Sequence, residues 1–293
     1  MIQYSKQHNT LPKGFAMSFR INNGISAMNA NLQSSLNNLG IKRSLGSLSS
    51  GSVMNNAAYN ASGLGIANQL SAQVSGLGQS IMNSNDSIGM VQVADGALQE
   101  YGNILEDVRV LTLQASNGTL NNDDRTIIQQ QIDSLLQSAD DIAKTTKFNG
   151  INLLDGTGGS SNDGTFITHT GADSNETNSV SIGDSQVATA ITGTIDVTTQ
   201  ASAATSIDAV DNAIKNITDI RSDLGAAQNQ LLSNIKNIAV TQINIASAES
   251  QIRDVDFASE SANFSKLNIR AQAGSFAQSQ AHSAQANIAN LLK

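Results

Sequence analysis

Residues 205–253 read TSIDAVDNAIKNITDIRSDLGAAQNQLLSNIKNIAVTQINIASAESQIR. Alternating steps of three and four visit Ile207, Val210, Ile214, Ile217, Arg221, Leu224, Gln228, Leu231, Ile235, Ile238, Gln242, Ile245, Glu249 and Ile252. Ten of these fourteen positions are apolar and the spacing never slips. That is the signature of a helix presenting a coiled-coil seam to a partner. The partner lies earlier in the chain. From Leu70 to Leu105 the same steps visit Leu70, Val74, Leu77, Ile81, Ser84, Ile88, Val91, Asp95, Leu98, Gly102 and Leu105, eight of eleven apolar. A shorter run is Ile128, Ile132, Leu135, Ala139 and Ile142. The spacing predicts helices over 60–116, 123–144 and 205–253. Leu70, Leu77, Ile81, Ile88, Leu98, Ile214, Leu224, Leu231 and Ile238 are the expected core. The two long helices exceed an average globular helix several-fold, so a rod is expected.

The ends repeat the theme in diluted form. The N-terminal stripe is Ile21, Ile25, Met28, Leu32, Leu36 and Leu39; the C-terminal one is Phe264, Leu267, Ala271, Gly274, Ala281, Ala284, Ile288 and Leu291, followed by Leu292. Neither buries enough apolar surface alone to offset its chain entropy. Each needs the other or a neighbouring subunit. Gly40, Gly46 and Gly51 are expected to punctuate the N-terminal segment. Between the helices, Phe148-Asn149-Gly150-Ile151 reads as a hairpin turn. Residues 156–204 are rich in Gly, Ser, Thr, Asn and Asp, which predicts a small β-rich or loose insertion touching little of the core. Asp123 or Asp124 is the expected N-cap of the middle helix, and Asp140-Asp141 a solvated face.

Composition removes whole classes of function. The 293 residues include no Cys, no Trp and one Pro, and aromatics are 3%. Thiolate metal sites, disulfides and Cys nucleophiles are excluded, and a ring-lined ligand pocket or a base-stacking surface is disfavoured. His8, His169 and His282 fall in unrelated segments, and no phosphate loop, Gly-x-Ser-x-Gly or His-Glu-x-x-His occurs. No enzyme, cofactor or metal is expected. The charge is segregated: residues 1–85 carry five bases and no acid, residues 257–293 net +2, and residues 86–256 net −15. Five dispersed bases are too dilute for a nucleic-acid footprint, and no apolar run approaches a membrane span.

At the ends the residues become specific. Met17-Ser-Phe-Arg-Ile-Asn-Asn-Gly-Ile-Ser-Ala-Met-Asn-Ala, Leu48-Ser-Ser-Gly51 with Asn55 and Ala61-Ser62-Gly63-Leu64-Gly65-Ile66-Ala67, Asp107-Val-Arg109-Val-Leu111-Thr-Leu-Gln114-Ala-Ser-Asn117-Gly118-Thr119, and Lys147-Phe148-Asn149-Gly150 resemble successive blocks of the bacterial flagellins. So do Arg221-Ser-Asp-Leu-Gly-Ala226, Ser250-Gln-Ile-Arg-Asp-Val-Asp256-Phe-Ala, Gln272-Ala273-Gly274 and Leu291-Leu292-Lys293. The resemblance covers about 17–155 and 205–293. It departs where many flagellins carry an Asp-Asp pair and this chain has Tyr59-Asn60, and in residues 1–16, which precede the usual start at Met17.

The resemblance implies a secreted structural subunit that polymerises into the flagellar filament for motility. The fold it implies is mainly α: an elongated coiled-coil-like helical bundle with paired terminal helices, one β-hairpin region and a short β/loop insertion. It divides the chain into an N-terminal extension (1–16), an inner-tube helix (17–58), rod segments (59–155 and 205–255), a variable surface insertion (156–204) and a C-terminal inner-tube helix (256–293). The implied partners are other copies of the chain, the flagellar type III export apparatus, an export chaperone at the C-terminal segment, and cap and hook–filament junction proteins. Nucleic acid and membrane insertion are not implied. Inter-subunit assembly is expected at Ile21, Ile25, Met28, Leu32, Leu36, Phe264, Leu267, Ile288, Leu291 and Leu292. In the family, an immune receptor grips the block matching Asp107, Arg109, Leu111 and Gln114 with a facing helix at Gln131. Competing readings are a junction or cap component of the same appendage, a metalloprotease carried in the insertion, and a generic secreted coiled-coil effector.

Overall fold

The structure, a computed structural model, describes residues 25–191 and 194–291. The expected extension 1–16, Ile21 and Leu292 lie outside the described residues, as do the side chains of Ile288 and Leu291. Ten elements follow in order: α1 (Ile25–Ser50), α2 (Ala61–Ala115), α3 (Asn122–Thr145), β1 (Lys147–Phe148), β2 (Ile151–Asn152), β3 (Thr165–His169), β4 (Thr177–Ser181), α4 (Val187–Ala190), α5 (Gln200–Arg253) and α6 (Phe257–Leu291). By contacts the chain forms two units, Gly65–Gln251 and the two ends, up to Leu64 and from Ile252 onward.

In the central unit α2 and α5 run antiparallel. Arg109 Nε donates to Asp211, Arg221 Nε to Asp95 Oδ1 at 2.8 Å, and Gln242 Nε2 to the carbonyl of Val74 at 3.0 Å. The last two contacts share one register, and Arg109–Asp211 is offset from it by about one helical turn. Asp95, Arg221 and Gln242 are polar interruptions of the two seams, and each meets a polar partner across the interface, as half-buried polar groups must. Leu77, Ile88, Leu98, Leu224, Leu231 and Ile238 are buried as expected. Leu70, Ile81 and Ile214 are half-buried, and Ile214 packs against the main core. Along α2 the buried face is wider than one seam, taking in Ala94, Tyr101, Val108 and Ala115, because other segments cover the helix beside α5.

One such segment is α3. Its N-cap is Asn121, not Asp123 or Asp124: the Asn121 side chain accepts from the Asp124 N–H at 2.7 Å, and Asp124 reaches back to the Asn121 N–H. This capping box places an acid at the third helical position, where it also complements the helix dipole. Arg125, only 5% exposed, donates to the carbonyls of Ala115 and Asn117 and so satisfies the open C-terminal end of α2. Asp140 pairs with Lys144 one turn on.

The hairpin of β1 and β2 turns through Asn149 (φ 51°) and Gly150 (φ 81°). Two consecutive positive φ values define the type I′ turn that Asn-Gly favours.

Of the two readings of the insertion, β-rich or loose, the β-rich one holds, while the expectation that it touches little of the core does not. Strands β3 and β4 pair antiparallel over five residues. Val180, Ile182, Ile191, Ile195 and Val197 are buried in the same core as α2, α3 and α5. Ser80 Oγ donates to the carbonyl of Gly171, Ser87 bonds Thr168, and Gln129 both accepts from the Val197 N–H and donates to the carbonyl of Ile195. Its buried Val and Ile residues do fall at alternate positions, Val180 and Ile182 and then Ile191, Ile195 and Val197, but in pieces too short to show from sequence that they reach this core.

In the unit of the two ends, α1 packs along α6. Gly51, at φ 70°, ends α1 in the left-handed conformation that closes helices; Gly40 and Gly46 lie inside the helix. The chain then forms an antiparallel bridge with the segment entering α6: the Val53 N–H donates to the carbonyl of Arg253 and the Val255 N–H to that of Gly51. Asp256 caps α6 by accepting from the Ala258 and Ser259 N–H groups. Asn60 caps α2 by accepting from the Gly63 N–H. The departure at Tyr59-Asn60 thus keeps a capping side chain, and Tyr59 presents its ring to the Arg43 guanidinium at 4.4 Å.

Candidate assembly surfaces

The seam between α1 and α6 is built mostly from small and polar side chains, with four large apolar ones among them. On α1 the residues turned inward are Ala27, Ala30, Ser34, Asn37, Ile41, Ser44 and Leu48, all buried or half-buried. Facing them on α6 are Phe264, Leu267, Ala271, Gly274, Gln278 and Ala281, all half-buried. Asn37 Nδ2 donates to the carbonyl of Leu267 at 2.9 Å and Gln278 Nε2 to Asn31 Oδ1 at 2.6 Å. A Cβ on Gly40 would touch both δ-methyls of Leu267 at 3.4 Å, so the helices approach closely there.

The large apolar residues of α1 point the other way. Ile25, Met28, Leu32, Leu36 and Leu39 are all exposed. At about 100° per residue their mean direction lies on the side of the helix opposite the seam. On α6, Ile269 and Phe276 are exposed on the face away from α1, Phe276 at 75%. α1 is therefore apolar on the face its own subunit does not cover, and α6 carries Ile269 and Phe276 on its corresponding face. Scattered exposed apolar residues need no explanation, but a contiguous row such as that of α1 marks an interaction surface.

The predicted assembly residues thus separate into two groups. Ile25, Met28, Leu32 and Leu36 are exposed and share one face; Phe264 and Leu267 are used within the subunit against α1. Ile269 and Phe276, which the sequence reading did not single out, stand outward on α6. Their signal was spacing: seven residues apart, on a face offset from the stripe through Phe264 and Leu267.

The candidate receptor block also divides. Asp107 and Gln114 are exposed and Leu111 half-buried, and the three share one side of α2. Arg109 lies on the opposite side, paired with Asp211 of α5. That hydrogen bond raises the Arg109 pKa and lowers that of Asp211. Gln131 is exposed on α3.

Among the described residues no group of His, Cys, Asp or Glu could hold a metal ion, and no helix is long and apolar enough to cross a membrane.

Known proteins share the residue order of both ends of the chain. The bacterial flagellin N-terminal helical region matches residues 21–158, and the C-terminal helical region matches residues 207–292. The flagellar filament 31.3 kDa core protein of Treponema maltophilum is 34% identical over 285 residues, covering 93% of this chain and 99% of that protein. The flagellin of Bacillus subtilis is 36% identical over 303 residues, covering 94% of this chain and 100% of that protein. Among solved structures, Bacillus cereus flagellin is 31% identical, with a TM-score of 0.48 over 57% of this chain and 94% of that one. Two terminal regions matched in order, joined by relatives that align from end to end, place this chain in the bacterial flagellin family.

Proposed function

We propose that this chain is a structural, non-enzymatic subunit of a flagellar filament, and that the outward faces of α1 and α6 are where copies meet. The observation that carries this is the inversion of the end helices: small and polar residues in the internal seam, Ile25, Met28, Leu32, Leu36 and Leu39 outside it. A second copy supplies the apolar surface that the subunit lacks. Heterologous contacts that repeat without closing generate an open helical polymer.

In this reading 17–58 and 256–293 form the inner tube, 59–155 and 205–255 the rod around it, and 156–204 the outer surface. The near-neutral ends lie inside and the acidic middle faces water. The family further supports export through the flagellar type III apparatus, a chaperone that covers the C-terminal segment, and contacts with cap and junction proteins. Ile269 and Phe276 are the side chains such a chaperone would cover on α6. A receptor-facing patch at Asp107, Leu111, Gln114 and Gln131 belongs to the same proposal, with Arg109 held back by Asp211.

The test is seeded elongation. Purified subunits are added to sheared filament seeds and length is followed by electron microscopy. Wild-type subunits extend the seeds. Extension by a Leu32→Asp/Leu36→Asp variant at the wild-type rate would refute the assignment of this face.

A further inference from the structure

Four of the chain's six methionines are described, and they fall into two classes. Met54 and Met90 are buried. Met28 and Met82 are exposed at 70% and 61%. The two exposed thioethers stand in opposite surroundings. Met28 sits in the α1 row, with Ile25 one turn before it and Leu32 one turn after, both exposed and apolar, and with Asn31, the polar neighbour on that side, bonded to Gln278. Met82, on α2, has Gly78, Gln79, Asn85 and Asp86 at the equivalent positions. With no cysteine in the chain, methionine sulfur is its most readily oxidised side-chain atom.

We propose that Met28 is an oxidation-sensitive position at which peroxide blocks subunit addition and which assembly shields; this rests on the assignment of the α1 row as an inter-subunit surface. In the free subunit the Met28 sulfur is open to hydrogen peroxide. A sulfur lone pair attacks one peroxide oxygen, the O–O bond breaks, and after proton transfer water leaves while the oxygen stays on sulfur. Sulfur is oxidised by two electrons and the peroxide is reduced by two. The sulfoxide is polar and a strong hydrogen-bond acceptor. In the free subunit it is hydrated and costs nothing. Carried into a contact beside Ile25 and Leu32 it loses that hydration against apolar side chains, so it opposes docking. Met82 undergoes the same chemistry on a polar face and serves as an internal control.

The experiment compares free subunits and assembled filaments under one limited dose of hydrogen peroxide, with site occupancy read by peptide mass spectrometry and elongation read on untreated seeds. Expected for treated free subunits are sulfoxide at both Met28 and Met82 and elongation slowed by about tenfold or more. Met28→Leu subunits given the same dose continue to elongate, Met82→Leu subunits do not, and methionine sulfoxide reductase restores the wild type. In filaments Met82 oxidises while Met28 is protected. A Met28→Gln variant, which carries a permanent polar acceptor, elongates slowly without any oxidant. If untreated subunits fail to extend seeds, the assembly assignment falls and this inference with it. If they extend seeds but Met28→Leu is as peroxide-sensitive as wild type, or Met28 oxidises equally in filament and free subunit, the inference alone is overturned.

Discussion

Between α2 and α5 the seam positions hold Leu77, Ile88, Leu98, Leu224, Leu231 and Ile238, all buried. Between α1 and α6 the equivalent positions hold mainly Ala30, Ser34, Asn37, Ser44, Ala271, Gly274 and Gln278 beside Ile41, Leu48, Phe264 and Leu267, and the row Ile25, Met28, Leu32, Leu36 and Leu39 lies outside. Both pairs follow the same three-four spacing. They differ in where bulk is placed relative to it. The central unit covers its own apolar surface, each large side chain contributing about 1.5–3 kcal/mol on burial. The end unit leaves that contribution unrealised until something covers α1 and α6. A helix pair with a thin seam and a greasy exterior is an unfinished core, and in the proposed filament the neighbour completes it.

The sharpest way to break this comparison is to poison the exterior without touching the seam. Leu32→Asp with Leu36→Asp should lower seeded elongation by roughly a hundredfold or more, because two desolvated charges cannot be accommodated in an apolar contact. The melting of Gly65–Gln251 should stay as in wild type by circular dichroism. Removal of Ala281 to Lys293 should likewise abolish filaments. Wild-type filament length from either variant would show that the exterior of the ends is not the assembly surface.

A pair of truncations to alanine measures the same contrast in the free subunit. Leu98 is fully buried, and Leu98→Ala should cost about 3 kcal/mol in chemical denaturation. Leu36→Ala should change monomer stability by no more than about 0.5 kcal/mol, since it removes an exposed side chain. Equal losses would mean that α1 is buried within the free subunit after all.

Tyr101 offers a smaller and opposite effect. Its ring is fully buried in the central core and its hydroxyl has no hydrogen-bond partner among the described residues. Tyr101→Phe should therefore raise stability by about 1 kcal/mol. Burial, with the charges of Asp140 and Asp184, raises the phenol pKa above its ordinary value near 10. A pKa higher in the folded than in the unfolded state contributes stability that is intact below about pH 10 and lost as pH rises beyond it. The variant should lose that alkaline sensitivity, as thermal melts between neutral and alkaline pH would reveal.

The smallest expected effects are electrostatic. The Arg221–Asp95 pair is partly exposed on both sides, so a double-mutant cycle should return about 0.5 kcal/mol or less, declining with salt. At acid pH the sign reverses from that of Tyr101. Thr198 hydrogen bonds lower the pKa of Asp196, and the Arg109 hydrogen bond lowers that of Asp211. Their stabilisation is present above about pH 4 and lost as pH falls through the lower folded values. A central unit that melts identically at pH 7 and pH 2.5 would contradict this.

Much of this molecule is legible in one dimension. The seams of 70–105 and 207–252 predict α2 and α5 because heptad spacing is local arithmetic, and a chain without proline after Pro12 has little to stop it. The hairpin at Asn149-Gly150 is equally local, since Asn-Gly tolerates the positive φ values of the turn. The family blocks of Leu48–Gly51, Asp107–Thr119 and Ser250–Ala258 are also properties of residue order alone. The cap of α3 fell between these cases: the acids of its first turn were visible, but Asn121 and Asp124 share the capping roles through a reciprocal geometry that any nearby Asn or Asp could have supplied.

What residue order left open was the direction in which each stripe faces. Periodicity places Ile25, Met28, Leu32 and Leu36 on one side of α1 and Phe264 and Leu267 on one side of α6, but it does not say which side meets the other helix. Close approach decided it: small residues such as Gly40 let Leu267 pack tightly, and the bulkier row of α1 was turned outward. The docking of 156–204 was undetermined for a related reason. The five buried aliphatic residues alternate in pieces too short to name their partner, and the core they join lies on helices distant in sequence, to which Ser80, Ser87 and Gln129 also tie the segment. Helix content follows from interactions a few residues apart, which the sequence states directly; facing and docking follow from interactions across long stretches of chain, which exist only once the fold has formed.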